Sequence, residues 1–233
     1  AWSMATTGRP GPVWVDIPVN FQGCYIETDD LIGFDENQDK LELPEPITED
    51  KVHTVLNMIK SAKRPVIYAG YGIRLAGAVD EFKRMVEKLG VPIVTYWNSI
   101  DLIEDEHPLY VGRGGNMGDR PGNFAVQNSD LLLAIGTRIS IRQVGYNWET
   151  WARAARVIMV DIDQNEMKKH TLHVDMPVWA DAKDFISKMN QLLDKESTPF
   201  FKEEEWVKAG QNWKAKYPAT LPRHWKENGE TAN

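Results

Sequence analysis

Apolar residues are arranged in two ways along the chain. Short unbroken runs, Val66-Ile67-Tyr68-Ala69 after Pro65, Ile93-Val94 after Pro92, Leu131 to Ile135 and Val157 to Val160, are each bounded by polar or turn-forming residues. Such runs read as strands buried on both faces of a parallel sheet. Elsewhere the apolar residues recur at helical spacing. Thr48, with Glu49 and Asp50 behind it, predicts the start of a helix whose inner face is Val52, Val55, Leu56 and Ile59. A second helix is predicted from about Ala76 to Leu89, after the turn Gly70-Tyr71-Gly72, and a short one from Asn123 to Asn128. Val178-Trp179-Ala180 reads as a last strand, and Asp181 as the cap of a helix reaching Leu193 with Phe185, Ile186 and Met189 on its apolar face. Tyr96 to Gly122, with glycines at 112, 114, 115, 118 and 122, reads as a long excursion between strands. The alternation predicts an α/β fold: a three-layer αβα, Rossmann-like, doubly wound parallel sheet of five or six strands. In such sheets ligands lie beyond the carboxyl ends of the strands, which points to Gly136-Thr137-Arg138 and Asp161-Ile162-Asp163.

Both termini depart from this pattern. Val13 to Ile17 reads as a strand ended by Pro18, with no partner strand nearby, and Glu27 to Pro46 reads as an acidic, extended linker. A lone strand followed by a linker suggests the end of a preceding domain. From Asp194 onward the chain is a charged helical extension with Trp206 and Trp213 one heptad apart, on one helix face that needs a cover. That cover is either the same domain or a neighbour.

Charge and composition narrow the function. The 233 residues carry 27 Lys and Arg against 34 Asp and Glu, a net charge of -7, with the basic residues scattered. This argues against nucleic acid as a partner. The single cysteine, Cys24, cannot form an intrachain disulfide, and no run is apolar and long enough for a membrane helix. A soluble, cytoplasmic protein is the expectation.

Several motifs now occur in a familiar order: Gly8-Arg9-Pro10-Gly11-Pro12-Val13-x-x-Asp16-x-Pro18, Arg64-Pro65-Val66, Gly70-x-Gly72, Gly90-x-Pro92, Asn128-Ser129-Asp130-Leu131-Leu132-Leu133, Gly136-x-Arg138 and Val160-Asp161-Ile162-Asp163. Together they resemble the central domain of the acetolactate synthase-like, thiamine diphosphate-dependent enzymes. The resemblance implies four regions: 1–22 as the end of a pyrimidine-binding domain, 23–47 as a linker, 48–195 as the central nucleotide-binding-type domain, and 196–233 as a helical linker toward a pyrophosphate-binding domain. It further implies a parent carboligase or decarboxylase acting on a 2-keto acid, using thiamine diphosphate and Mg2+. In such enzymes the activating glutamate and the Gly-Asp-Gly motif lie on the flanking domains. Gly118-Asp119-Arg120 is the nearest string here, lacks the second glycine, and reads as a loop. No catalytic residue is therefore assigned to this chain, whose expected partners are those domains and a second copy in a homodimer.

Flavin-dependent relatives bind FAD on this domain, and others bind ADP there. By motif position the cofactor-binding candidates are Met117, Gly118, Gly136, Thr137, Arg138, Asp161, Ile162, Ala180 and Asp181. Glycines permit close backbone approach, an arginine pairs with diphosphate, and a carboxylate at a strand end takes ribose hydroxyls. FAD is disfavoured. Arg138-Ile139-Ser140-Ile141-Arg142 lacks the paired aspartates of the flavin-binding pattern Arg-Phe-Asp-Asp-Arg, Met117 stands where histidine is usual, and Ile32 to Pro46 contains no arginine. ADP remains compatible.

Blander readings stand beside these. The glycines can be turns, the aspartates helix caps, Asp163 more readily than Asp161, and His170, His173 and Asp175 too few ligands for a closed metal site. A free-standing adenine-nucleotide-binding or regulatory module of the same fold is the competing functional reading.

Overall fold

A parallel strand buried on both faces needs a hydrogen-bonding neighbour at each side, and four of the six strands here have one. The computed structural model describes residues 1–35, 37–39 and 41–221. The chain divides into two units, Ala1–Glu45 and Pro46–Asn233.

In the first unit, α1 (Trp2–Thr6) and α2 (Val19–Gln22) are single turns, followed by a 3-10 turn at Thr28–Asp30, and no described residue is buried. Val13 to Ile17, expected as a strand, pairs with no other described segment, and Trp14 is 90% exposed. The correction has a simple cause, because an extended segment becomes a strand only against a second one.

The second unit contains α3 (Glu49–Ser61), β1 (Pro65–Ala69), α4 (Gly72–Leu75), α5 (Val79–Leu89), β2 (Ile93–Thr95), β3 (Tyr110–Arg113), α6 (Arg120–Asn128), β4 (Leu131–Ile135), α7 (Ile141–Val144), β5 (Arg156–Asp161), α8 (Gln164–Met167), β6 (Met176–Trp179), α9 (Ala182–Leu193) and α10 (Glu204–Lys216). The six strands form one all-parallel sheet in the order β3-β2-β1-β4-β5-β6, with helices on both sides. This is the Rossmann-like order, whose direction of progression reverses between β1 and β4. In register, Pro65 to Ala69 face Leu131 to Ile135, and all ten residues are buried. The apolar runs are thus the centre of the core.

Three local features differ from the sequence-based expectation. The helix expected from Ala76 begins earlier as α4, breaks at Gly77 (φ +63°) and resumes as α5. The glycine-rich excursion contains an edge strand, β3, whose pairing with β2 shifts register between Ile93 and Val94. Only four residues long and interrupted by Gly112, it has too little apolar content to stand out. Thr48 occupies the N-cap of α3 without a side-chain cap bond, whereas Asp181 caps α9 by accepting from the Lys183 and Asp184 N–H groups at 2.8 and 3.1 Å.

The cover for the heptad tryptophans is the domain itself. Trp206 is buried, its Nε1 donates to Pro65 O at 2.9 Å, and its ring meets Trp213 edge-on at 5.6 Å. Trp213 in turn packs edge-on to Phe124 of α6 at 5.9 Å. Gly210, between them in sequence, lets α10 approach Val111, since a Cβ there would lie 2.8 Å from Val111 Cγ2.

Candidate functional site

At the carboxyl end of the sheet, the loops after β1 and β4 meet at the point of reversal. Gly70 N–H donates to Ile135 O at 3.0 Å and Gly72 N–H to Gly136 O at 2.9 Å. A Cβ on Gly70 would stand 2.3 Å from Gly136 O, and one on Gly72 2.7 Å from Gly136 Cα. Gly136 has φ +57°, the left-handed region where glycine is favoured. These glycines let two backbones touch. The space between β1 and β4 is therefore filled by the chain.

The loop after β3 reaches across this end toward the segment after β4. Asn116 N–H donates to Arg142 O at 2.9 Å, and Gly115 lies against Arg142 O. Asn123 staples the loop, its Oδ1 accepting from Gly115 N–H at 2.9 Å and its Nδ2 donating to Gly115 O at 3.0 Å. Asp119 fixes the other end, capping α6 through Gly122 N–H at 2.9 Å while accepting from Arg113 N–H at 3.1 Å. Met117 and Gly118 are thereby carried from β3 to the side of β4. Met117 is 57% exposed, and Gly118 sits against Arg113 O, where a Cβ would be 2.3 Å away.

Beneath the loop lies a buried polar layer. Gln143, at the third position of α7, completes a reciprocal cap, its backbone N–H meeting the Ser140 side chain and its Oε1 accepting from Ser140 N–H at 2.9 Å, while its Nε2 donates to Thr137 Oγ1 at 2.8 Å. The Ser140-x-x-Gln143 spacing is a capping-box signature that can be found in sequence. Ile139, just before it, is buried with φ +45°, a costly conformation for a β-branched residue. Tyr68 of β1 is fully buried, and its hydroxyl has no hydrogen-bond partner among the described residues. Burial holds its phenol well above the ordinary range; the neighbouring Gln143 amide opposes this without reaching full hydrogen-bond geometry.

The remaining candidates follow β4, β5 and β6. Arg138 is 61% exposed at its side chain, and its Nε donates to Glu166 Oε1 at 2.6 Å, while Lys169 holds Glu166 Oε2 at 2.8 Å. Nothing in its local sequence marks Glu166 as buried. Asp161, at the end of β5, accepts from Asp163 N–H at 2.9 Å, and Ile162 O accepts from Trp179 Nε1 at 2.9 Å. Asp163 caps α8 through Asn165 N–H. Ala180 is buried and donates to Asp161 O at 3.2 Å, and Asp181 caps α9 through one carboxylate oxygen. The nine candidates thus lie along one edge of the sheet, on loops linked in sequence β3, β4, β5, β6. Many of their polar groups serve the fold.

Other groups resolve differently. His170 meets Trp148 edge-on at 6.0 Å, His173 contacts Asp175 at 3.1 Å, and Asp175 also accepts from Val157 N–H. Among the described residues no group of three or more His, Cys, Asp or Glu could hold a metal ion. Asp119, the acidic member of Gly118-Asp119-Arg120, has both oxygens engaged by backbone N–H groups. Among the described residues no acidic group fits a Mg2+-diphosphate centre. A cleft of about 600 Å3 beside β3, lined by residues including His107, Tyr110 and Lys214, contains none of the nine candidates. No helix among the described residues is long and apolar enough to cross a membrane.

A six-stranded, all-parallel sheet with helices on both sides and a glycine-packed reversal point defines a three-layer, Rossmann-like α/β domain. Comparison gives the class a family. The family model for the thiamine pyrophosphate enzyme central domain matches residues 52–189, and the chain belongs to that family. It is similar to a probable acetolactate synthase large subunit of Methanococcus aeolicus, with 35% identity over 209 residues, 84% of this chain and 33% of the relative. The acetolactate synthase large subunit of Corynebacterium glutamicum is 32% identical over 223 residues, 94% of this chain and 34% of its own length. A probable chloroplastic acetolactate synthase 2 of Oryza sativa is 36% identical over 203 residues, 84% and 29% respectively. The chain spans about a third of the length of these curated relatives.

Proposed function

We propose that this chain is the central domain of a thiamine diphosphate-dependent, acetolactate synthase-like carboligase or decarboxylase acting on a 2-keto acid. The observation that carries the reading is the family match over 52–189, joined to relatives named acetolactate synthase of which the chain spans about a third. In this reading 48–195 is the central domain, 1–22 the end of a pyrimidine-binding domain, 23–47 a linker, and 196–233 a helical link toward a pyrophosphate-binding domain. Thiamine diphosphate and Mg2+ are then held by the flanking domains, and this chain supplies scaffold, homodimer contacts and an adenine-nucleotide contact. The exposed Trp14 is the apolar surface that motivates the dimer, two-fold pairing being the commonest symmetry. Cytoplasmic placement is part of the same proposal.

In this reading ADP is preferred to FAD because Arg138 to Arg142 lacks the paired aspartates of the flavin-binding pattern. The Arg138 Nη groups carry no bond among the described residues, and the second carboxylate oxygen of Asp181 is likewise uncommitted there. These suit a diphosphate and a ribose. Sequencing the complete reading frame tests the reading: it should encode a glutamate-bearing pyrimidine domain before this segment and a Gly-Asp-Gly motif with a following asparagine after it. A frame without either would contradict the proposal.

A further inference from the structure

The cleft of about 600 Å3 beside β3 takes no part in the site described above, and its volume is that of a small-molecule pocket. Asp105 and Glu106, on the turn before β3, line it together with Lys214 of α10, Tyr110 of β3 and Asp119 ahead of α6. Three carboxylates therefore meet one ammonium. His107, also on the lining, is turned to Glu87 at 2.7 Å. An excess of negative charge in a concave wall concentrates cations.

The cleft already shows how it holds an ammonium. Lys214 Nζ lies 4.9 Å from the centroid of the Tyr110 ring, donates to Asp105 O and stands 3.6 Å from the Asp105 carboxylate. An aromatic face, a carbonyl and a carboxylate together make a seat for an organic cation. The ring is fixed, being buried with its hydroxyl 3.1 Å from Thr95 Oγ1. Its occupant is not. Lys214 reaches the seat on a flexible stem, and its side chain is only partly buried, so the head can withdraw to water. A second anionic point stands next to the first in sequence: Glu106 is exposed and forms no ion pair among the described residues. Val111, Pro121 and Pro218 add apolar lining, which suits methylene groups.

We propose that this cleft binds a linear aliphatic polyamine, one ammonium replacing that of Lys214 on the Tyr110 face and another meeting Glu106. Carboxylates at two points and an apolar lining select a chain with separated positive charges over a metal ion or an anion. None of the nine sheet-edge candidates lines the cleft, so the inference is independent of the reading in the preceding section.

Titration calorimetry of the 233-residue chain with spermidine at physiological ionic strength tests this. Saturable binding at one site is expected. Asp105→Asn combined with Glu106→Gln should weaken it by about tenfold or more. Asp29→Asn combined with Asp30→Asn makes the same change of net charge at exposed positions of the first unit and should alter affinity by less than about twofold. Lys214→Met clears the Tyr110 face while keeping the length of the stem, and should tighten binding several-fold. Lys208→Met, at an exposed lysine of the same helix, should not. All these side chains are partly or fully exposed, and circular dichroism of each variant verifies the fold. Absence of saturable binding, equal weakening by the two double variants, or equal effects of the two lysine variants would overturn the inference.

Discussion

Gly70 and Gly136 touch through their backbones at the point where the sheet reverses, so closely that a Cβ on Gly70 would lie 2.3 Å from Gly136 O and 2.5 Å from Thr137 Cα. The contact aligns β1 with β4 and sets the start of the Thr137–Arg138 loop. Its partners are main-chain atoms, which cannot rotate away. Gly70→Ala should destabilise the protein by about 3 kcal/mol, measured by urea denaturation. Gly11, with nothing within 4 Å of a Cβ position, serves as the control, and Gly11→Ala should change stability by less than about 0.5 kcal/mol.

Trp206 ties the C-terminal helix to the first strand. Trp206→Ala removes a buried indole, its bond to Pro65 O and its edge contact with Trp213, and should cost about 3 to 5 kcal/mol in thermal or chemical unfolding. Trp14→Ala, at a position 90% exposed, should leave stability within about 0.5 kcal/mol. If Trp14 contributes to the proposed homodimer, light scattering should show weakened association in that variant.

The Tyr68 hydroxyl gives a pH signature. Its folded pKa is raised, chiefly by burial, above the ordinary phenol value of about 10. Below that value both folded and unfolded chains keep the proton, and stability is unaffected. As pH rises past about 10, the unfolded chain releases the proton before the folded one, so stability falls. Tyr68→Phe should lessen this alkaline loss, and because the hydroxyl lacks a partner it should cost little at pH 7. Tyr110, also raised mainly by burial, leaves a residual slope. Denaturation curves at pH 7 and pH 11 decide the point.

Much of this architecture can be read from the sequence where burial alone determines structure. The runs Val66–Ala69 and Leu131–Ile135 could scarcely be anything but central strands, and Asp181 before an amphipathic stretch is a sufficient helix signal. Long-range relationships are less legible. Nothing near Glu166 announces that Arg138, 28 residues earlier, will meet it, and nothing in Gly114–Gly118 announces that the loop will cross the sheet edge to Arg142. Val13–Ile17 has a strand's composition but no partner among the described residues, and β3 has a partner but little of a strand's composition.

The proposed nucleotide contact at the edge is tested by melting assays. ADP should raise the melting temperature of the chain, FAD should raise it less or not at all, and Arg138→Ala should remove the ADP effect. Glu166 keeps Lys169 in that variant, so the baseline should shift little.

Titration calorimetry of thiamine diphosphate with Mg2+, run on residues 1–233 and on the polypeptide of the complete reading frame, tests the central claim most directly. Saturable binding by the complete polypeptide and none by residues 1–233 is the expected result, because no acidic cluster among the described residues suits the metal and Asp119 is held by backbone N–H groups. Saturable micromolar binding by residues 1–233, or failure of the complete polypeptide to bind, would contradict it.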